Sequence, residues 1–124
     1  MLSAGFWILT LAAIAGVALA GLHLRATAPE QRPPWLAGAA HGLAGAAGVA
    51  ALLYALATRA PNPAQAANGT GQFGWIAGAL LGAALLAGLA VPLLRARHTG
   101  AVIAVHGALA VAGYVILLAF ISPG

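Results

Sequence analysis

Two histidines lie inside long apolar stretches of the chain, where a polar side chain needs a specific partner. His41 stands in AAHGLAGAAG and His106 in AVHGALAVAG, and neither stretch contains a charged residue. In both, glycine follows the histidine directly, and an Ala-Gly pair follows at the same spacing. Because an unpaired imidazole is costly in an apolar medium, the repeated pattern indicates either a binding site or a specific contact between helices.

Three partners suit a neutral imidazole in such a place. It can ligate haem iron, hydrogen-bond to a quinone oxygen, or hydrogen-bond to a backbone carbonyl of a neighbouring helix. The third partner would make the histidines purely structural. We expect haem, since one iron takes two axial ligands from opposite sides and the sequence supplies a matched pair, His41 and His106.

The composition places these histidines in a membrane protein. Of 124 residues, 63% are hydrophobic and 5% are charged, with a mean hydropathy of +1.01. Soluble domains carry about 25% charged residues, so this chain cannot cover its surface with polar groups. The absence of cysteine excludes thiolate metal sites and covalently attached haem. Five scattered arginines form no basic stripe, so we expect no nucleic-acid partner.

Four apolar runs have roughly the 20 residues that a helix needs to cross a bilayer. The first run lacks a preceding positive charge and is long for a signal peptide, so we expect it to be retained. The sequence therefore predicts one all-α integral membrane domain over residues 1–124, a four-helix bundle in contact with lipid. The predicted helices span residues 6–24, 35–58, 73–94 and 100–121.

The arginines predict the orientation of this bundle. Arg59 lies alone in one connection, whereas the other four arginines fall on the opposite side. By the positive-inside rule the four-arginine side faces the cytoplasm and both termini lie outside, which we expect in a bacterial inner membrane. The four are Arg25, Arg32, Arg95 and Arg97.

The two halves of the chain resemble each other and predict a duplicated helical hairpin, with repeat units 1–59 and 70–124. His41 pairs with His106 without gaps, and the Phe-Trp openings of the first and third runs pair Phe6 with Phe73. Two helices per unit preserve orientation, so a pseudo-twofold axis should lie along the membrane normal. Both histidines then lie about 9 Å from the cytoplasmic end, on opposite sides of the bundle.

Small residues follow each histidine on the same helical face, which should leave room for a flat ligand such as a porphyrin. They include Gly45 and Gly48 after His41, and Gly113 after His106. The four arginines named above fall at the nearer end, where they would bind anionic propionates of haem. Pro92 should bend the third helix near this end.

One histidine per helix, small residues on the same face and arginine at the near end resemble small four-helix membrane b-type cytochromes. The resemblance implies one bis-histidine haem b and electron exchange with a quinone or a membrane redox protein. It implies a subunit or partner of a larger redox complex more than a stand-alone enzyme. The outer half contains no histidine, so a second haem is not expected.

The alternative is a non-catalytic accessory subunit that packs against a larger membrane complex, with His41 and His106 holding helices together. His23 and His98 lie beside arginines at the cytoplasmic end, where we expect them to be solvated. Their alternative roles are a second metal site or proton donation at a quinone site.

Overall fold

The computed structural model describes residues 2–60, 62–93 and 96–122, without the side chains of Pro29, Leu93 and residues 96–98. Every regular element in these ranges is helical, as the sequence predicts. Short 3-10 turns lie at Pro29–Gln31 and Val91–Leu93. The α-helices are α1 Leu2–Arg25, α2 Trp35–Thr58, α3 Pro63–Ala67, α4 Phe73–Ala90 and α5 Ala96–Ile121.

Four of these helices, α1, α2, α4 and α5, are long and apolar enough to cross a membrane. Their outward faces carry large apolar side chains, among them Leu43 at 73% exposure and Trp35 at 77%. Because water does not stabilise such surfaces, lipid covers them, and the chain is a helical membrane protein.

Three helix boundaries differ from the sequence prediction. The third predicted helix was placed at residues 73–94, but α4 ends at Ala90 and gives way to the 3-10 turn. Pro92 explains the change, because proline has no backbone N–H to donate and its ring clashes with the carbonyl four residues earlier. The segment 95–99 was predicted as a connection, but α5 begins at Ala96 because the Ala and Arg there favour helix. The first helix begins at Leu2 rather than residue 6.

The four long helices form one bundle in cyclic order. The helices α1 and α2 pack as one hairpin and α4 and α5 as the other. The helix α2 also contacts α4, and α5 more lightly contacts α1. In this order α2 and α5 occupy opposite corners of the bundle, so side chains from both can meet at its axis.

The hydrophobic core occupies only one half of the bundle. Leu52 and Leu117 are fully buried there, at 0% exposure, and they lie at equivalent positions of α2 and α5. We call this region the packed half; its helix segments are 2–12, 48–58, 73–84 and 113–121. Packed around these two leucines are Leu9, Val49, Leu56, Ala77, Leu81 and Phe120.

The other half, which contains both intramembrane histidines, is packed less closely. None of its described residues is buried to the degree seen in the packed half. We call it the histidine half; its described segments are 13–25, 35–47, 85–93 and 99–112.

A polar link joins α1 to α5 in the packed half. The Thr10 hydroxyl donates to the Phe6 carbonyl at 2.8 Å and accepts from the Tyr114 hydroxyl at 2.7 Å. The Tyr114 ring also stacks on Phe6, with ring centroids 6.0 Å apart. The link lies at the more lightly packed of the interfaces between hairpins, and it satisfies the tyrosine hydroxyl inside the membrane.

Candidate functional site

The structure brings His41 and His106 together at the axis of the bundle. Their ring centroids are 5.9 Å apart and the two ring planes are nearly perpendicular, at 85°. The side chains approach from the opposite corners, α2 and α5. Both rings are half-buried.

A glycine on the neighbouring helix makes room for each imidazole. A Cβ atom built on Gly16 of α1 would come within 2.8 Å of His41 Cε1. A Cβ atom on Gly88 of α4 would come within 3.0 Å of both Cε1 and Nδ1 of His106. Real Cβ contacts essentially never reach the first of these distances, so the two glycines determine where the rings can lie.

The two histidines differ in their hydrogen bonds. His106 Nδ1 donates to the carbonyl oxygen of Ala84 at 2.7 Å, which leaves its Nε2 as the nitrogen that can accept or ligate. His41 Nδ1 is buried without a partner among the described residues, although the backbone of Ala12 lies beside the ring. The backbone of a neighbouring helix therefore lies beside each imidazole, Ala12 for His41 and Ala84 for His106.

The contacts define the internal symmetry of the bundle. Gly16 and Gly88 differ by 72 in residue number, and so do Ala12 and Ala84, whereas His41 and His106 differ by 65. The Phe6–Phe73 pairing of the sequence analysis, with a difference of 67, is therefore wrong by five residues for α1 and α4. That pairing was based on the similar openings of the two helices, whereas the contacts along the helices follow the offset of 72.

The small-residue stripes have mixed surroundings. Gly48 and Gly113 lie in the packed half, and a Cβ on them would come within 2.7 Å of Leu9 and 2.9 Å of Leu81 respectively. These glycines therefore admit leucine side chains from the neighbouring helices rather than leaving open space for a ligand. Gly45 is half-buried, and among the described residues Leu85 alone lies within 4 Å of a Cβ built there.

The charged residues predicted for the near end are placed only in part. Arg25 and Arg32 are exposed at the end of the bundle closer to the histidine pair. Arg95 lies outside the described residues, as do the side chains of Arg97 and His98. His23 is half-buried on the last turn of α1.

Sequence reasoning missed Gly16, Gly88 and Ala84, which surround the imidazoles. Neither glycine stands out in the sequence, because both lie in apolar runs of a chain that contains 17 glycines.

The two imidazoles define the chemistry available here. The described residues contain no group of three or more His, Cys, Asp or Glu side chains that could hold a metal ion. A neutral imidazole can donate and accept a hydrogen bond, or use its free nitrogen as a metal ligand.

No protein-family model matches this chain, and no curated protein or solved structure is significantly similar to it.

Proposed function

We propose that this chain is a membrane-embedded haem b protein that takes part in electron transfer, with His41 and His106 as the two axial ligands of one haem. The observation that carries the proposal is the meeting of two imidazoles, 5.9 Å apart, from opposite corners of a membrane bundle. Bound haem would supply a one-electron redox couple.

The separation of the rings suits two ligands to one metal. Both imidazoles would hold the same iron, since they approach from opposite helices and their ring centroids are 5.9 Å apart.

The surrounding residues orient the imidazoles. The hydrogen bond from His106 Nδ1 to Ala84 fixes the tautomer of that ring and directs Nε2 away from α4. Bonds of this kind are typical of metal-ligating histidines and raise their basicity. Gly16 and Gly88 admit the rings, and the less closely packed histidine half is where the helices can separate to admit a flat group.

The near end of the bundle would receive the propionates of haem. Arg25 and Arg32 are exposed there, and arginine binds carboxylates with two parallel hydrogen bonds. We place this end at the cytoplasmic face of a bacterial inner membrane, with both termini outside. Electrons would then pass between the haem and a quinone or a partner redox subunit on that side.

Difference spectroscopy tests the proposal. The chain is expressed with haem available, purified in mild detergent, and its reduced-minus-oxidised spectrum recorded. A low-spin b-type signal is expected from the native chain, and both His41→Ala and His106→Ala should lose it. His23→Ala and His98→Ala are matched controls, since neither histidine belongs to the pair, and both should keep the signal.

A colourless chain that is stably folded would contradict the proposal. The histidines would then serve packing alone, and the function would be that of an accessory subunit in a larger membrane complex. A signal that survives both substitutions in the pair would exclude His41 and His106 as the ligands.

A further inference from the structure

A second polar cluster lies at the opposite end of the bundle, where α2 and α5 end and α4 begins. Arg59 is half-buried there, and its NH2 nitrogen donates to Gln65 Oε1 at 2.8 Å. Gln65 Nε2 in turn donates to the Phe120 carbonyl at 2.8 Å. Gln65, on the short helix α3, therefore ties the ends of α2 and α5 together and holds the arginine in place.

The guanidinium group is held in place, and no acidic side chain among the described residues contacts it. It lies over the Phe120 ring, with Cζ 4.9 Å from the ring centroid. Its NH1 nitrogen is buried with no hydrogen-bond partner among the described residues. The chain contains a single acidic side chain, that of Glu30, and Glu30 lies in the connection at the other end of the bundle. No acidic side chain therefore faces Arg59 from the described part of the chain.

A cavity of about 270 Å³ adjoins this arginine. Its lining is polar on one side, with Asn62 and Gln65 beside Arg59, and apolar on the other, with Leu56 and Trp75. Trp75, at 52% exposure on the first turn of α4, is at the depth where tryptophan meets lipid headgroups. The cavity is thus amphipathic and lies at the surface of the membrane.

We propose that this cavity binds a phosphate group of an anionic membrane lipid, with Arg59 as the principal contact. Arginine forms charge-assisted hydrogen bonds with phosphate, and Gln65 pre-orders the side chain by holding NH2. The apolar side of the cavity accommodates the first carbons of a lipid tail. The site is separate from the histidine pair and does not depend on haem.

Native mass spectrometry of the full chain in dodecyl maltoside tests this site. The protein is titrated with phosphatidylglycerol and, separately, with diacylglycerol, which has the tails but no phosphate. Phosphatidylglycerol should be retained in preference to diacylglycerol, and Arg59→Gln should weaken its binding about tenfold or more, because a charge-assisted hydrogen bond is lost. Arg32→Gln is the matched control: it removes an exposed arginine at the other end and should leave retention unchanged.

Arg59→Lys guards against a folding defect in Arg59→Gln, because it keeps the positive charge and should retain the preference for phosphatidylglycerol. A third titration adds glycerol 3-phosphate to the lipid-loaded protein. Displacement of phosphatidylglycerol by glycerol 3-phosphate would show that the site binds soluble phosphate compounds, contrary to the proposal. Retention of phosphatidylglycerol would show that the bound phosphate belongs to a lipid. Equal retention of both lipids by the native chain, or unchanged retention by folded Arg59→Gln, would overturn the proposal.

Discussion

The packed half and the histidine half are built from the same four helices, yet they differ in what meets at the axis. In the packed half, Leu52 and Leu117 are completely buried. In the histidine half, eleven residues earlier on the same two helices, the corresponding inward positions are His41 and His106, which are only half-buried. A leucine core therefore lies between the helices at one end of the bundle, and two imidazoles lie between them at the other.

The contrast shows how one repeat provides both stability and a site. In the packed half, leucine side chains lie against glycines of the neighbouring helix, such as Gly48 and Gly113. The helices therefore pack closely there. Beside the histidines, a Cβ atom on Gly42 or Gly107 would meet no described residue within 4 Å. Elements with few buried contacts are the ones that can rearrange to admit a ligand.

The largest expected effect is loss of a buried leucine in the packed half. Leu52→Ala or Leu117→Ala should destabilise the bundle by about 2–5 kcal/mol, since each leaves a cavity at the centre of the core. Thermal unfolding in detergent measures the change. Leu43→Ala is the control, because that leucine is 73% exposed to lipid. Equal destabilisation by all three variants would remove the distinction between the halves.

The next largest effect is expected from glycine-to-alanine substitutions, which should change stability differently in the two halves. Gly48→Ala and Gly113→Ala place Cβ atoms within 2.7 Å and 2.9 Å of leucine side chains, so each should cost about 1–3 kcal/mol by overpacking. Gly42→Ala and Gly107→Ala, made in open space, should be neutral or stabilising, since alanine favours helix. The same unfolding assay decides, and indistinguishable melting of all four variants would contradict the contrast.

The glycines beside the imidazoles should affect the site more than the fold. In Gly16→Ala and Gly88→Ala the new methyl group would displace a histidine ring, and we expect haem affinity to fall about tenfold, as for other changes behind a metal ligand. Haem titration followed by absorbance measures the affinity. Gly21→Ala, with nothing within 4 Å of the new atom, is the control and should bind as the native chain does.

The smallest expected effect concerns the link between α1 and α5. Tyr114→Phe removes the hydrogen bond to Thr10 and keeps the stacking on Phe6. Hydrogen bonds between membrane helices average about 0.6 kcal/mol, so only a slight decrease in melting temperature should follow. A decrease as large as that of Leu117→Ala would mean that this link, rather than the leucine core, holds the hairpins together.

Sequence alone predicted the all-α membrane bundle, because a run of about 20 apolar residues has few other stable structures in a bilayer. It also picked out His41 and His106, whose polarity is conspicuous in apolar runs. It could not place Gly16 and Gly88 beside them, since a glycine among many reveals its neighbour only through tertiary packing. The Arg59–Gln65–Phe120 network was missed for the same reason, because Phe120 lies 55 residues from Gln65 in the sequence.

Whether His41 and His106 form one haem site is decided by a haem titration of the single and double variants. Apo-protein is titrated with haem, and low-spin absorbance is followed in the native chain, both single alanine variants and the double variant. We expect the low-spin absorbance of the native chain to saturate at one haem per chain. Each single variant should lose as much of this signal as the double variant. Saturation that is unchanged in the double variant, or losses that simply add, would contradict a site that needs both imidazoles.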